Sequence, residues 1–236
     1  SDFHTPLPIS IHRYGKISAG RRPRRDARVF HVPPGLYVML GVSDSGVGMD
    51  GVIETIIRTL AEPGEKVAVS TPTFSFYALA AMGQGAEVIT VPREADFSVD
   101  TKKLVRAAKE AKVTVLCSPN NPTGNATGID DVREILEGIE GLLFLDNAYV
   151  EFSGIDYLPL MKKHENLVLG RTFSKVHSLA GLRIGYAFTP RWLPPWYQRA
   201  GTPFTVNSVS MAAAAAALSD TAHADRYIAQ VKRWRR

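Results

Sequence analysis

The chain has 236 residues, of which 45% are hydrophobic, 22% charged and 9% aromatic. That balance supports a sizeable buried core and excludes a disordered chain, a collagen-like chain and a coiled coil. The net charge of +5 belongs to the first thirty residues, through the run Arg21, Arg22, Arg24, Arg25 and Arg28, and the rest of the chain is neutral. This basic arm has no interleaved aromatics and no nucleic-acid motif, so no nucleic-acid partner is expected. No apolar run reaches the ~18 residues of a membrane span, and the start SDFHTPLPIS lacks a signal-peptide pattern, so the expectation is a cytoplasmic protein without a membrane partner. The single cysteine, Cys117, excludes a disulfide framework and a cysteine-rich zinc site, and no metal is expected.

Residues 1–45 carry proline interruptions and little periodicity. From residue 50 the pattern becomes regular. Val52, Ile53, Ile56, Ile57 and Leu60 recur at helical spacing and predict a helix over 50–61. A strand follows at 66–70, a helix at 73–82 and a strand at 87–91. Asp100 is placed to cap a helix over 101–111. Strands follow at 113–117, at 142–145 (ending at Asp146), from 167 and at 184–188. Further helices are expected at 130–138, 157–163, 206–218 and 223–234. Short apolar strands alternating with amphipathic helices indicate an α/β fold, with a mainly parallel sheet flanked by helices. Ligands in such sheets sit beyond the carboxyl ends of the strands. The unusual polar clusters fall there: SPNNPTG after VTVLC, DNAY after LLFL and RTFSK after LVLG.

Lys175 lies in the last of these, between Thr172, Ser174 and, eight residues on, Arg183. A lysine in such a loop can be held out of bulk water, which lowers its amine pKa and makes it a Schiff-base nucleophile toward an aldehyde. Two hydroxyls and a guanidinium nearby suit a phosphate. Aldehyde and phosphate together suggest pyridoxal 5′-phosphate; the plain alternative is a solvated loop lysine. Asp146 closes an apolar strand, where a carboxylate needs a partner; a protonated pyridine nitrogen is one, and a helix N-cap before NAYVEF is the other. Tyr149 is within reach of the ring oxygen of such a cofactor. Pro119, Pro122 and Gly124 set a tight turn that places Asn120 and Asn121 at a strand end, either as ligands of the ring oxygen or as an Asx turn.

SPNNPTG, LDNAYVEF and RTFSKVHSLAGLRIGY, in that order and spacing, together with PTFSFY at 72–77, resemble the fold-type I pyridoxal-phosphate aminotransferases, and within them the histidinol-phosphate aminotransferase group. The resemblance runs over roughly residues 46–227. It implies a pyridoxal 5′-phosphate-binding large domain over 46–220, an N-terminal arm over 1–45, and at 221–236 the start of a connection to a small C-terminal domain. It implies Lys175 as the catalytic Schiff-base lysine and Asp146 as the partner of the pyridine nitrogen. Tyr149 and Asn121 would serve the ring oxygen, Phe74 would stack on the ring, and Arg183, Ser174 and Thr172 would hold the phosphate with the backbone of Gly48, Met49 and Asp50. Tyr14, in IHRY, would reach the cofactor phosphate of the second subunit of a homodimer. The implied reaction moves an amino group between histidinol phosphate, or a related amine, and 2-oxoglutarate, by ping-pong kinetics. In that reaction Lys175 carries the proton between Cα and the cofactor.

The sequence departs from the family at Asn147, where an acidic residue is usual, at Val47, where Asn is usual, and over residues 15–45. It ends at Arg236, where the small domain that supplies a substrate-binding arginine in relatives would begin, and no residue here takes that role. Two alternatives stay open within this fold: a decarboxylase of a phosphorylated amino acid, and a truncated, non-catalytic form. A dinucleotide site on GVGMDG would need an acid near residues 70–71, where there is none.

Overall fold

The computed structural model describes residues 36–41, 48–202 and 206–235. Tyr14, the basic run and Gly46 lie outside the described residues.

Seven strands form one sheet: β1 (Leu36–Gly41), β2 (Lys66–Thr71), β3 (Glu87–Pro92), β4 (Ala111–Cys117), β5 (Leu142–Asp146), β6 (Leu167–Thr172) and β7 (Gly185–Pro190). Their spatial order is β1-β7-β6-β5-β4-β2-β3. Strands β2 to β6 run parallel, while β7 is antiparallel to β6 and β1 is antiparallel to β7. The central parallel strands are largely apolar because both faces are covered; all five residues of β5 are buried, whereas the edge strand β3 buries only Val91. One edge strand, β1, comes from a stretch of little periodicity in which YVMLGV nevertheless reads as strand-like.

The helices are α1 (Met49–Leu60), α2 (Phe76–Gly83), α3 (Thr101–Ala107), α4 (Ile129–Gly138), α5 (Leu193–Ala200), α6 (Ser208–Ser219) and α7 (Thr221–Trp234). Strand alternation divides the core between the two faces. Leu142 and Phe144 pack with Val52, Ile53, Ile56 and Ile57 of α1 and Ala81 of α2. Leu143 and Leu145 pack with Leu104 of α3 and Val132 and Ile135 of α4. Asp146 follows Phe144 in this alternation and so falls on the α1/α2 face.

Several boundaries differ from the sequence expectation. Helix α2 starts at Phe76 rather than residue 73, because Asn120 accepts from the Thr73 hydroxyl at 2.7 Å and donates to the Pro72 carbonyl at 3.0 Å, pinning that stretch as an extended wall. Helix α3 stops at Ala107, and β4 begins at Ala111; the Asp100 cap is present, accepting from the Lys103 amide at 2.9 Å. The expected helix at 157–163 is a 3-10 turn, Leu158–Lys162. Helix α5 gave no sequence signal because it carries two prolines, which its first turn tolerates where backbone amides have no partner within the helix.

Candidate functional site

A cleft of about 560 Å³, counting the solvent at its open side, lies beyond the carboxyl ends of β4, β5 and β6. Its floor is built by register. Cys117, the last residue of β4, pairs with Asp146, the last of β5, and Asp146 pairs with Gly170 of β6. These strand ends face the N-terminus of α1. A Cβ on Gly170 would stand 2.5 Å from the end of the Met49 side chain and 2.6 Å from the Phe144 ring. Glycine there lets α1 settle onto the sheet, bringing its first turn to the cleft.

Asp146 is 4% exposed, and both its oxygens are engaged. The Tyr77 hydroxyl donates to Oδ2 at 2.6 Å, and the Ala148 amide donates to Oδ1 at 2.8 Å. Burial pushes the carboxyl up to about 6; the bonds from Tyr77 and Ala148 pull it down, Asp50 adds to the rise and Lys175 opposes it. Asp146 therefore makes the local backbone bond that a cap would make and also presents a buried carboxylate to the cleft.

Lys175 sits across the cleft, its Nζ 5.2 Å from the centre of the Tyr149 ring. From the sequence this lysine could be held out of bulk water or be a solvated loop lysine. In the structure its side chain is exposed, because the turn after β6 puts it on the open rim. That turn is ordered by the Ser174 amide, which donates to the Thr172 hydroxyl at 3.1 Å. Phe74 forms the wall on the α2 side, edge-on to Tyr77 with ring centres 5.5 Å apart.

The N-cap of α1 is Gly48, at φ 62°, and no side chain caps this helix. Its first turn therefore offers backbone amides and a positive dipole end to the cleft. Arg183 stands beside it in a left-handed conformation, φ 47°, which costs a non-glycine residue roughly 1–2 kcal/mol. Its guanidinium donates to Asp50 at 3.4 Å and to the Ala180 carbonyl at 3.2 Å. Burial raises the Asp50 carboxyl above its usual value, while Arg183 and then Lys175 oppose that rise. The first turn of α1, Arg183, Ser174 and Thr172 gather at one end of the cleft, donor groups of the kind that suit an anion, and Asp146 lies at the other.

The cleft brings together Met49, Asp50, Phe74, Asn121, Asp146, Tyr149, Thr172, Ser174, Lys175 and Arg183, and Gly48 adjoins it through the Arg183 backbone. The structure separates the two adjacent asparagines. Asn120 is 3% exposed and spends its amide on Thr73, Pro72 and Thr123, whereas Asn121 lines the cleft. Asn147 is fully buried, and its Nδ2 donates to the Ser118 carbonyl at 3.0 Å, a bond that an acid here could not make. Sequence reasoning missed Tyr77 and Cys117 as cleft residues. Their signals were a tyrosine one helical turn beyond Phe74 and a thiol closing β4, both of which read equally well as core.

These residues suit pyridoxal 5′-phosphate: a buried carboxylate for a ring nitrogen, an aromatic wall, an amine at the rim and an uncapped helix end for a dianion. Comparison with known proteins agrees. The chain is 62% identical to histidinol-phosphate aminotransferase of Methanoculleus marisnigri over 192 residues, covering 81% of this chain and 54% of that protein. It is 55% identical to the enzyme of Methanocorpusculum labreanum, covering 91% of this chain and 61% of that protein. The chain thus spans between half and two thirds of the length of these curated relatives. Histidinol-phosphate aminotransferase of Sinorhizobium meliloti, solved in complex with pyridoxal-5′-phosphate, superposes with a TM-score of 0.74 at 29% identity, over 81% of this chain and 52% of that one. The sheet order and flanking helices are those of fold-type I. The family described as aminotransferase class I and II matches residues 45–236, and the chain, with its strand-end cleft, belongs to it.

Proposed function

We propose that this chain is the cofactor-binding part of an aminotransferase that exchanges an amino group between histidinol phosphate and 2-oxoglutarate. The family is dependent on pyridoxal phosphate. The observation that carries the reading is the pairing across one cleft of buried Asp146 with Lys175 at the rim, beside an uncapped helix N-terminus. When bound, the cofactor supplies an aldehyde that condenses with amines and a ring that accepts an electron pair from Cα.

The residues would divide the work as follows. Lys175 anchors the cofactor, and its freed amine takes and returns the substrate Cα proton. Asp146 holds the proton on the pyridine nitrogen. Tyr149 and Asn121 donate to the ring oxygen, and Phe74 covers one ring face. Arg183, Ser174, Thr172 and the amides of Gly48, Met49 and Asp50 hold the phosphate. Residues 46–220 form the domain that binds the cofactor, with 221–236 leading toward a further domain. The chain would work as a homodimer in which Tyr14 donates to the phosphate of the partner subunit.

The relatives' names support the choice of substrate, and the chain's own geometry supports the chemistry. Half-transamination tests both. The chain, loaded with pyridoxal phosphate, is exposed to a panel of amino acids and phosphorylated amines, and its absorbance is followed. Conversion with histidinol phosphate ahead of the other donors is expected. Carbon dioxide release without conversion of the cofactor to its amine form would replace this reading with a decarboxylase.

A further inference from the structure

The side chain with most influence on Asp146 is Tyr77, the last residue of PTFSFY, to which the sequence assigned no role. Tyr77 is 1% exposed, in the first turn of α2, and its position is set by packing. Ala80 and Ala81 bury the same helix against the sheet, and Phe74 meets its ring edge-on. Its hydroxyl reaches Asp146 Oδ2 at 2.6 Å, the length of a charge-assisted bond.

The direction of that bond is fixed by the surroundings. Burial, then the Asp146 charge, hold the Tyr77 phenol well above its usual pKa, so it remains protonated and donates to the carboxylate. A donor aimed at a carboxylate stabilises the charged form. The groups facing Asp146 are Tyr77 from α2, the Cys117 thiol from β4, Asp50 from α1 and Lys175 from the turn after β6. Behind Tyr77 and Cys117 lies Arg93, 8% exposed, whose guanidinium donates to the Cys117 carbonyl at 3.4 Å. Burial also pushes the Cys117 thiol up to about 12, so it stays neutral. Among these groups Tyr77 is the one that bonds the second carboxylate oxygen, while the Ala148 amide holds the first.

We propose that Tyr77 is a positioning residue: its phenol locks the Asp146 carboxylate toward the cleft and holds it anionic, so that it can keep a proton on a bound pyridine ring. Only the cofactor half of this statement rests on the pyridoxal phosphate reading. The effect on Asp146 itself is a property of the chain.

The experiment has two arms and two variants. In the first arm, cofactor-free protein with 13Cγ-labelled aspartate is titrated by NMR, the Asp146 signal being identified by its loss in Asp146→Asn. Tyr77→Phe keeps the ring and removes the donor, and should raise the Asp146 midpoint by about one to two pH units, the worth of a bond to a charged group. Replacing Tyr77 with 3-fluorotyrosine keeps the shape and strengthens the donor, and should move the midpoint the other way. An unchanged midpoint in both variants overturns the proposal. In the second arm, pyridoxal phosphate affinity is measured against pH. The ratio of variant to wild-type Kd for Tyr77→Phe should be greatest below about pH 6, where Asp146 is mostly protonated in both free proteins, and fall toward one as rising pH ionises Asp146 in both. A ratio that stays constant with pH means a packing role and also overturns the proposal. Wild-type protein that takes up no pyridoxal phosphate overturns the cofactor reading instead, and the titration then decides the role of Tyr77.

Discussion

Gly185 opens β7 directly under the first turn of α1, and Gly185→Ala tests how the phosphate cradle is built. A Cβ at this position would lie 2.9 Å from the Met49 amide nitrogen, 3.0 Å from Met49 Cα and 3.2 Å from the Arg171 carbonyl oxygen. Ordinary contact begins at 3.4 Å, and all three neighbours are backbone, so no rotamer change relieves the clash. The start of α1 must withdraw by about half an ångström. Met49 resists this, because its buried side chain fills the space above Gly170. Overpacking of this kind costs about 1–3 kcal/mol. The withdrawal also carries the amides of Met49 and Asp50 away from the position proposed for them against a phosphate. The prediction is therefore double. Urea denaturation of the cofactor-free variant should show the loss of stability. Titration with pyridoxal phosphate and with pyridoxal, which lacks the phosphate, should show the preference for the phosphorylated form falling about tenfold, or ~1.4 kcal/mol. A destabilised variant with an unchanged preference would refute the reasoning, because the clash would then have been absorbed away from the cradle.

Asp146 and the asparagine pair give two more tests. Folding raises the Asp146 carboxyl from 3.8 to about 6, so this group favours the folded state most below pH 3.8 and that contribution is lost as pH rises through about 6. Asp146→Asn should therefore gain stability relative to cofactor-free wild type as pH rises across that window, by at most about 3 kcal/mol, and parallel pH profiles in urea denaturation would refute this. The same variant should still bind cofactor through the phosphate end, more weakly than wild type at pH values where the wild-type carboxylate is ionised, and lose about 10²–10³ in turnover. Asn120→Ala should cost about 1–3 kcal/mol in thermal or urea denaturation, because it strands the Thr73 hydroxyl and the Pro72 carbonyl. Asn121→Ala should leave stability nearly unchanged and shift the absorbance of bound cofactor instead; the reverse pattern would exchange their roles.

The parallel sheet was legible because its strands are buried on both faces, so LLFL and VTVLC read as unbroken apolar runs. The polar clusters were legible for the complementary reason: a carboxylate or a lysine directly after such a run has no place in a core. Local sequence could not show which of Asn120 and Asn121 faces the cleft, since that depends on Thr73 and Pro72 arriving from another strand 47 and 48 residues away. Tyr77 was illegible for a similar reason. In α2 it looks like one more apolar-face residue, and only the meeting of α2 with the end of β5 turns its hydroxyl into a partner for Asp146. Helix α5 was hidden by the prolines in its own first turn, and β1 was legible only as the strand-like run YVMLGV, without a pattern around it to place it in the sheet. The exposure of Lys175 depends on how open the cleft is at its rim, which residue spacing does not record.

The central claim is that Lys175 is the residue that takes the cofactor. Borohydride reduction of the chain incubated with pyridoxal phosphate, followed by peptide mapping, tests it most directly. One pyridoxyl-labelled peptide, containing Lys175, is expected, and it should disappear in Lys175→Ala. A label on Lys162, Lys163 or another lysine in the wild-type chain, with Lys175 unmodified, would contradict it.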